Sequence, residues 1–459
     1  MAVLKTGNIM TTKEIQEELT NLYAQHADTI AQSTSELINQ QRDKAFTDFQ
    51  RLGIPSKKTE DYRYTDLMPY LKGEYSYELA PARFSVDLEE LFRCDIPELN
   101  THLVLVLNGF YYEKNRLSDL PEGIIISSLA KASLEYPELV NKHYSQYADT
   151  SLDSLAALNT LFAQDGIFIY IPKNVVLEKP IQIINVGFSL QNLRITRRNL
   201  IVAEEGSQAS LLICDHTLCK SSFITNSLTE VYAGENARLD IVRMQNENNK
   251  SSQINNTFGY QAANSTLSYN TISLHGGLIR NNVFVRLDGE GAHNETYGLF
   301  FADDNQHVGT FTNIHHAKPH CTSDQLFKGV LDDNATGAFN GKIYVDEYAV
   351  KTQAYQRNNN ILLSKNAKMN SKPQLEIYND DVKCSHGATI GQIDNNALFY
   401  LRSRGISLQE AHHLLKSAFA NEVIGSIQLS PLRDRMKNMV EKRLRGELSR
   451  CENCTVHQG

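Results

Sequence analysis

From Gly166 onward the chain alternates. Residues 166–172, GIFIYIP, place an isoleucine at every second position among aromatic neighbours, which predicts a strand. Short apolar segments then recur, each followed by a tight turn. The turns read Gly206-Ser207-Gln208-Ala209, Gly234-Glu235-Asn236-Ala237, Ala262-Ala263-Asn264-Ser265 and Gly289-Glu290-Gly291-Ala292, with later forms at Asp332-Asp333-Asn334-Ala335 and Ser364-Lys365-Asn366-Ala367. The small closing residues are spaced by 28, 28 and 27, then by 43 and 32, as if loops were inserted after 292. A recurring period of this kind predicts a β-solenoid: one rung cannot bury its apolar face alone, stacked rungs share a core, and the ends need caps.

The periodicity is helical on both sides of that region. Residues 11–52 read as two helices, started by Thr11 with Glu14 and by Ser33 with Glu36. Ile38, Ala45, Phe46, Phe49 and Leu52 fall on one face of the second, and Gly53 stops it. Residues 75–150 are mixed, with a strand at 101–107 before Asn108-Gly109. Residues 151–163 form a helix carrying Leu152, Leu155, Leu158, Leu161 and Phe162 on one face. After Ser407, Leu408, Ala411, Leu415, Ala418, Phe419 and Val423 form an apolar stripe. After Ser430-Pro431, Leu432, Met436, Val440, Leu444 and Leu448 form another. Such stripes pack on a core or dock into a partner's groove. The expected fold is mainly β: a parallel β-helix over 151–400, with an N-terminal helical and mixed domain over 1–150 and a C-terminal helical domain over 401–459.

Composition narrows the function. A net charge of −8 and a pI near 6.0 disfavour nucleic acid as a partner. Tyr (21) and Phe (18) supply all the aromatic surface, since Trp is absent, and both suit strands. No apolar run approaches the ~18–20 residues of a membrane span. The N-terminus lacks the apolar core of a secretion signal, so a cytoplasmic protein is expected. The seven scattered cysteines then read as free thiols.

The candidate chemistry sits in a few places. Cys384 and His386 are two apart; on a strand they share a face and could bind one metal or sulfur species together. Gly387 and Gly391 suggest tight turns beside them. His307, His315, His316, His320 and Cys321 resemble a metal site in composition but match no closed zinc spacing, so a solvated inserted loop is the favoured reading. Cys451 and Cys454 with His457 form a weak CxxC tail. Cys214 and Cys219 read as core. Residues 337–343, GAFNGKI, look like a phosphate loop but end without a magnesium-binding hydroxyl, so no nucleotide site is expected.

Three stretches carry a resemblance: 53–67 (GIPSKKTEDYRYTDL), 166–182, and 372–405, which includes KPQLEIY, DVKCSHG and FYLRSRG. They are similar to the SufD family, subunits of the SUF iron–sulfur cluster assembly complex. The related SufB type carries Cys where this chain has Ile377, and Glu-His-Glu where it has Cys384-Ser385-His386. The resemblance implies a right-handed parallel β-helix and a non-catalytic scaffold subunit. It implies a heterodimer with a SufB-like partner and binding of SufC, an ABC-type ATPase, through the C-terminal helices. It places His386, and less firmly Cys384, at an interface where a transient iron–sulfur cluster forms with ligands from the second chain. Two residues alone cannot complete a four-ligand site. Related complexes carry reduced flavin, although no motif here marks a flavin site. The alternatives are a SufB-like homodimeric scaffold and a β-helix enzyme cleaving polysaccharides. The role of 53–67 is expected to be structural, docking the N-terminal helices.

Overall fold

The computed structural model describes residues 11–81, 100–112, 117 and 119–447. Its centre is a β-solenoid of about seven turns. Two ten-stranded sheets face each other, and from Leu193 on successive strands alternate between them. Sheet one runs from Ile125–Ser128 and Ile167–Ile171 to Lys368–Ile377. Sheet two runs from the hairpin strands His102–Leu107 and Phe110–Tyr111 to Lys383–Gly391. Pairing is parallel throughout except for the short strands at the N-terminal end.

The turn pattern has a structural cause that spacing alone concealed. Ladder register places Ser207, Ala237, Ser265, Ala292, Cys321 and Thr352 in one column, each closing the corner that leads into sheet two. All six are at most 1% exposed, so only small side chains fit there. The residue before each one, Gly206, Asn236, Asn264, Gly291, His320 and Lys351, has a positive φ of 54–72°. Glycine and asparagine dominate such left-handed positions, and histidine also tolerates them. The 43-residue step is therefore not an insertion. Ala335 and Ala367 close turns on the opposite corner, and Cys321 supplies the missing beat 29 residues after Ala292.

The helices do not cap the solenoid ends; they cover its outer faces. The helices Thr12–Gln32, Arg42–Leu52 and Ser154–Phe162 bury Ile15, Leu19, Phe49, Leu155, Leu161 and Phe162 against Ile224, Ile254 and Leu278 of sheet one. Thr11 and Glu14 form the expected capping box, while Ser35, not Ser33, caps the next short helix. The helices Leu408–Ile424 and Ser430–Arg445 cover sheet two, with Val423, Ile424, Leu432, Met436 and Val440 against Leu299, Phe301, Leu326 and Val330. A boundary at 150 would cut the fold, because His102–Leu107 pairs with Ile181–Gly187 and forms the first full rung of sheet two.

Inside the solenoid, the N-terminal rungs are stacked isoleucines: Ile167, Ile169, Ile183, Ile201, Ile213 and Ile241. Polar side chains enter at Asp215, which is fully buried and binds three rungs together. It accepts from Asn185 at 2.9 Å, Arg197 Nη2 at 3.0 Å and Arg243 Nε at 2.8 Å. Removing the carboxylate leaves two buried guanidinium groups uncompensated, and breaking a buried pair costs about 3–5 kcal/mol. Asp215→Ala is therefore expected to destabilise the chain by about that amount. The check is a urea denaturation midpoint; an unchanged midpoint would contradict the role given to this node.

Candidate functional site at the open end of the solenoid

At the C-terminal end both sheets stop with an edge. Lys383–Gly391 pairs with Gln353–Leu362 on one side and with no other described strand; Lys368–Ile377 ends sheet one in the same way. Each edge presents a row of unmet backbone N–H and C=O groups, a template for another chain. Nearby surface is apolar. Tyr378 is 60% exposed and Ile390 46%, and on the following helix, Asn395–Ser403, Phe399 is 75% exposed.

Cys384 and His386 lie on this last strand. Their ladder partners are Ala354 and Gln356, which are buried between the sheets, so alternation turns both Cys384 and His386 toward the interior mouth. The shared face expected from the spacing is present. The two differ in setting. Cys384 is half-buried against Ile343, Val345, Ala349 and Ala354, and burial pushes its thiol above the usual range. His386 is exposed. Gly387 and Gly391 are strand residues rather than turns, and a Cβ at either would meet nothing.

The N-terminal motif reaches the same end of the molecule. Tyr62 lies beneath Arg280, with the guanidinium 4.6 Å from the ring, and accepts from Asn282 at 3.0 Å. Thr65 meets His307 Nε2 at 3.0 Å, and Arg280 Nη2 donates to the Asp61 carbonyl at 2.7 Å. Glu60 then pairs with Lys372 at 2.5 Å, which holds its carboxyl below the usual range. Stretch 53–67 is thus a strap on the outer face of sheet one, and two motifs over 300 residues apart touch.

The segment from His307 is not a solvated inserted loop, since His307–His316 is a largely buried strand of sheet one, and the metal set does not assemble either. His315 points outward to Asp346 and Arg286, each at 2.9 Å. His316 is its alternate neighbour and points into the core, where it meets Ser323 at 2.8 Å; burial lowers its pKa to about 3. His320 is the left-handed turn residue, and Cys321 is the small corner residue, its thiol donating to the Gly289 carbonyl at 3.2 Å. Among the described residues no group of three or more His, Cys, Asp or Glu could hold a metal ion. Residues 337–343 run inside the strand Thr336–Val345 and form no loop. Cys214 is core, as expected; Cys451, Cys454, His457 and Leu448 lie outside the described residues.

The six residues expected to dock an ATPase divide. Ala411, Leu432 and Met436 are buried against the chain's own fold, Phe419 carries the Lys328 ammonium on its ring, and Leu415 is half-buried. Of the six, Leu408 alone is exposed, at 48%, and Leu414, off the predicted stripe, joins it at 43%. An apolar residue outside a helix's buried stripe was the signal that sequence reading passed over.

A flavin does not fit the groove beside the strap. That groove, of about 670 Å³ on the outer face of sheet one, offers Phe284 and Phe311 for stacking. Its cations are already engaged, Arg286 with Asp288 and Lys342 with Glu376, and Asp61, Asp149 and Asp153 also line it. That lining does not fit a phosphate-bearing group.

No helix among the described residues is long and apolar enough to cross a membrane. Burial differences among the thiols can be tested directly. Brief iodoacetamide treatment of the native chain should alkylate Cys384 but spare Cys214 and Cys321, as read by peptide mass mapping. Because the thiolate reacts and the Cys384 pKa is raised, its rate should still be climbing above pH 9. Equal labelling of all three would contradict the burial described.

The sequence matches known families and proteins over most of its length. The family model for the SUF system FeS cluster assembly SufBD core domain matches residues 188–419, and that for the SufBD protein N-terminal region matches 13–183. An iron–sulfur cluster assembly SufBD family protein of Synechocystis is 30% identical over 402 residues, covering 85% of this chain and 88% of the relative. The iron–sulfur cluster assembly protein SufD of Escherichia coli is 29% identical, over 86% of this chain and 90% of its own. SufD of Bacillus subtilis is 26% identical over 71% and 75%. With both family regions matched in order and the solenoid in place, the chain belongs to the SufBD family of iron–sulfur cluster assembly proteins.

Proposed function

We propose that this chain is a non-catalytic scaffold subunit of the SufD type. It pairs through the open end of its solenoid with a SufB-like subunit and carries a SufC-type ATPase on its C-terminal helices. The observation that carries the reading is the pair of unpaired sheet edges with an exposed imidazole between them. A second solenoid adding strands to those edges would satisfy their backbone groups and enclose His386. The cluster is cargo in this reading: His386 offers one nitrogen ligand, Cys384 lies one step along the same face, and the remaining ligands come from the partner. Family membership favours this over a polysaccharide-cleaving enzyme, and Ile377 in place of Cys weighs against a self-sufficient SufB-like homodimer.

ATPase docking is assigned to the exposed outer side of Leu408–Ile424. The buried stripe cannot serve without unpacking the helix from sheet two, so truncation before Leu408 would expose core and confuse docking with misfolding.

Two experiments test these assignments. His386→Ala should leave thermal unfolding unchanged while lowering the iron and sulfide content of the complex co-expressed with SufB-like and SufC-type subunits. Wild-type content would remove His386 from the reaction. Leu408→Glu with Leu414→Glu should abolish co-purification of the ATPase without shifting the melting temperature; retained co-purification would move the docking surface elsewhere.

A further inference from the structure

Beneath His386 the interior of sheet two is a polar column. Ladder register stacks Tyr269, Thr296, Gln325, Gln356 and His386 on five successive strands, all on the inward face. The deeper members are satisfied in part: Thr257 donates to Tyr269 at 3.2 Å and Thr312 to Gln325 at 2.8 Å. Gln356 is different. It is 1% exposed, and neither its Oε1 nor its Nε2 has a hydrogen-bond partner among the described residues. A buried polar group left unmet costs about 1–3 kcal/mol, so an amide with both ends unmet asks for an explanation.

Space has been made for that amide. Across the interior stands Gly341, where a Cβ would come within 2.5 Å of Gln356 Nε2 and 2.5 Å of Phe339 Cζ. The glycine is needed for clearance and not for its backbone angle, since its φ is not positive. On its own sheet, the inward residue paired with Gln356 toward the open end is the exposed His386, one strand away at the ~4.8 Å spacing of paired strands.

Resting on the reading of His386 as a cluster ligand, we propose that Gln356 is a positioning residue for it. The amide carbonyl accepts the N–H of the inner ring nitrogen. That fixes the tautomer and leaves the outer nitrogen with a lone pair aimed at the joining chain. Rotation of the imidazole about χ1 and χ2 closes the contact, and exclusion of water by the second solenoid favours it. An oriented second nitrogen of this kind is what metal-binding histidines ordinarily need.

The direct test is the ring ¹⁵N spectrum of the isolated chain with labelled histidine, the His386 signals being those lost in His386→Ala. Gln356→Leu removes the acceptor while filling the same volume, and Gly341→Ala pushes the amide aside from the opposite sheet. Both should shift the His386 tautomer balance, whereas Gln325→Leu, one strand deeper, should not. In the co-expressed complex, Gln356→Leu should lower iron and sulfide content about ten-fold. It should cause no further loss when added to His386→Ala. Unmoved His386 signals in both Gln356→Leu and Gly341→Ala overturn the proposal, as does an equal loss of cluster in the presence and absence of His386. Should His386→Ala alone keep its full cluster, the ligand reading fails, and the spectrum still decides whether the amide holds the ring.

Discussion

A parallel ladder of strands satisfies its own backbone only in its interior. Every strand added to a solenoid transfers the unmet N–H and C=O groups one step outward, and something must end the series. In this chain the N-terminal end is closed by its own short antiparallel strands, Phe110–Tyr111 and Ile125–Ser128. The C-terminal end receives no such closure from the described residues. Proteins with an exposed edge ordinarily blunt it with proline, charge or a covering loop. Here Pro373 is one such device on sheet one, while the last strand of sheet two offers small residues, Ser385, Gly387, Ala388 and Gly391, that let another backbone approach.

That asymmetry explains the placement of the rest. The helices cover outer faces because the sheets carry apolar residues on both sides, which makes parallel sheets stable only when covered twice. With the faces covered, the described strands left with an unpaired edge at the C-terminal end are Lys368–Ile377 and Lys383–Gly391, and the second carries Cys384 and His386. The strap at 53–67 contributes at a distance. Through Glu60 and Lys372 it ties the last strand of sheet one to the N-terminal segment, so the edge is held at a fixed position before any partner arrives. An exposed ion pair of this kind adds little stability, so its effect is on geometry more than on energy.

Much of this was legible in the sequence. Alternation around Ile167, Ile169 and Ile171 and the small-residue turns announced a solenoid, because the corner admits only small side chains. The rhythm was misread at Ala209, which lies two residues past the true corner residue Ser207, and at two later points for one physical reason. A two-cornered rung has two turn series, and Ala335 and Ala367 belong to the second. Cys321 is a small buried residue of the first series, although composition groups it with His315, His316 and His320 as a solvated loop or a metal site. Composition brought those four together, but strand alternation and a left-handed turn set them apart. The C-terminal stripe was read correctly as apolar, yet its partner was the chain's own sheet two. Periodicity shows that a face is buried and does not show by what.

The interior polar column was the least legible feature, and its physics shows why. Gln325 and Gln356 are 31 residues apart and appear in the sequence as ordinary polar residues of alternating strands. Only register reveals that they share a column with His386. An apolar interior would be cheaper, as the isoleucine rungs at the N-terminal end demonstrate. The change from stacked isoleucine to stacked amide along one sheet therefore follows direction, toward the open end. A polar interior that grows toward the seam gives the terminal imidazole a neighbour it can bond, whereas a leucine or isoleucine in place of Gln356 would leave the ring free to turn either nitrogen outward.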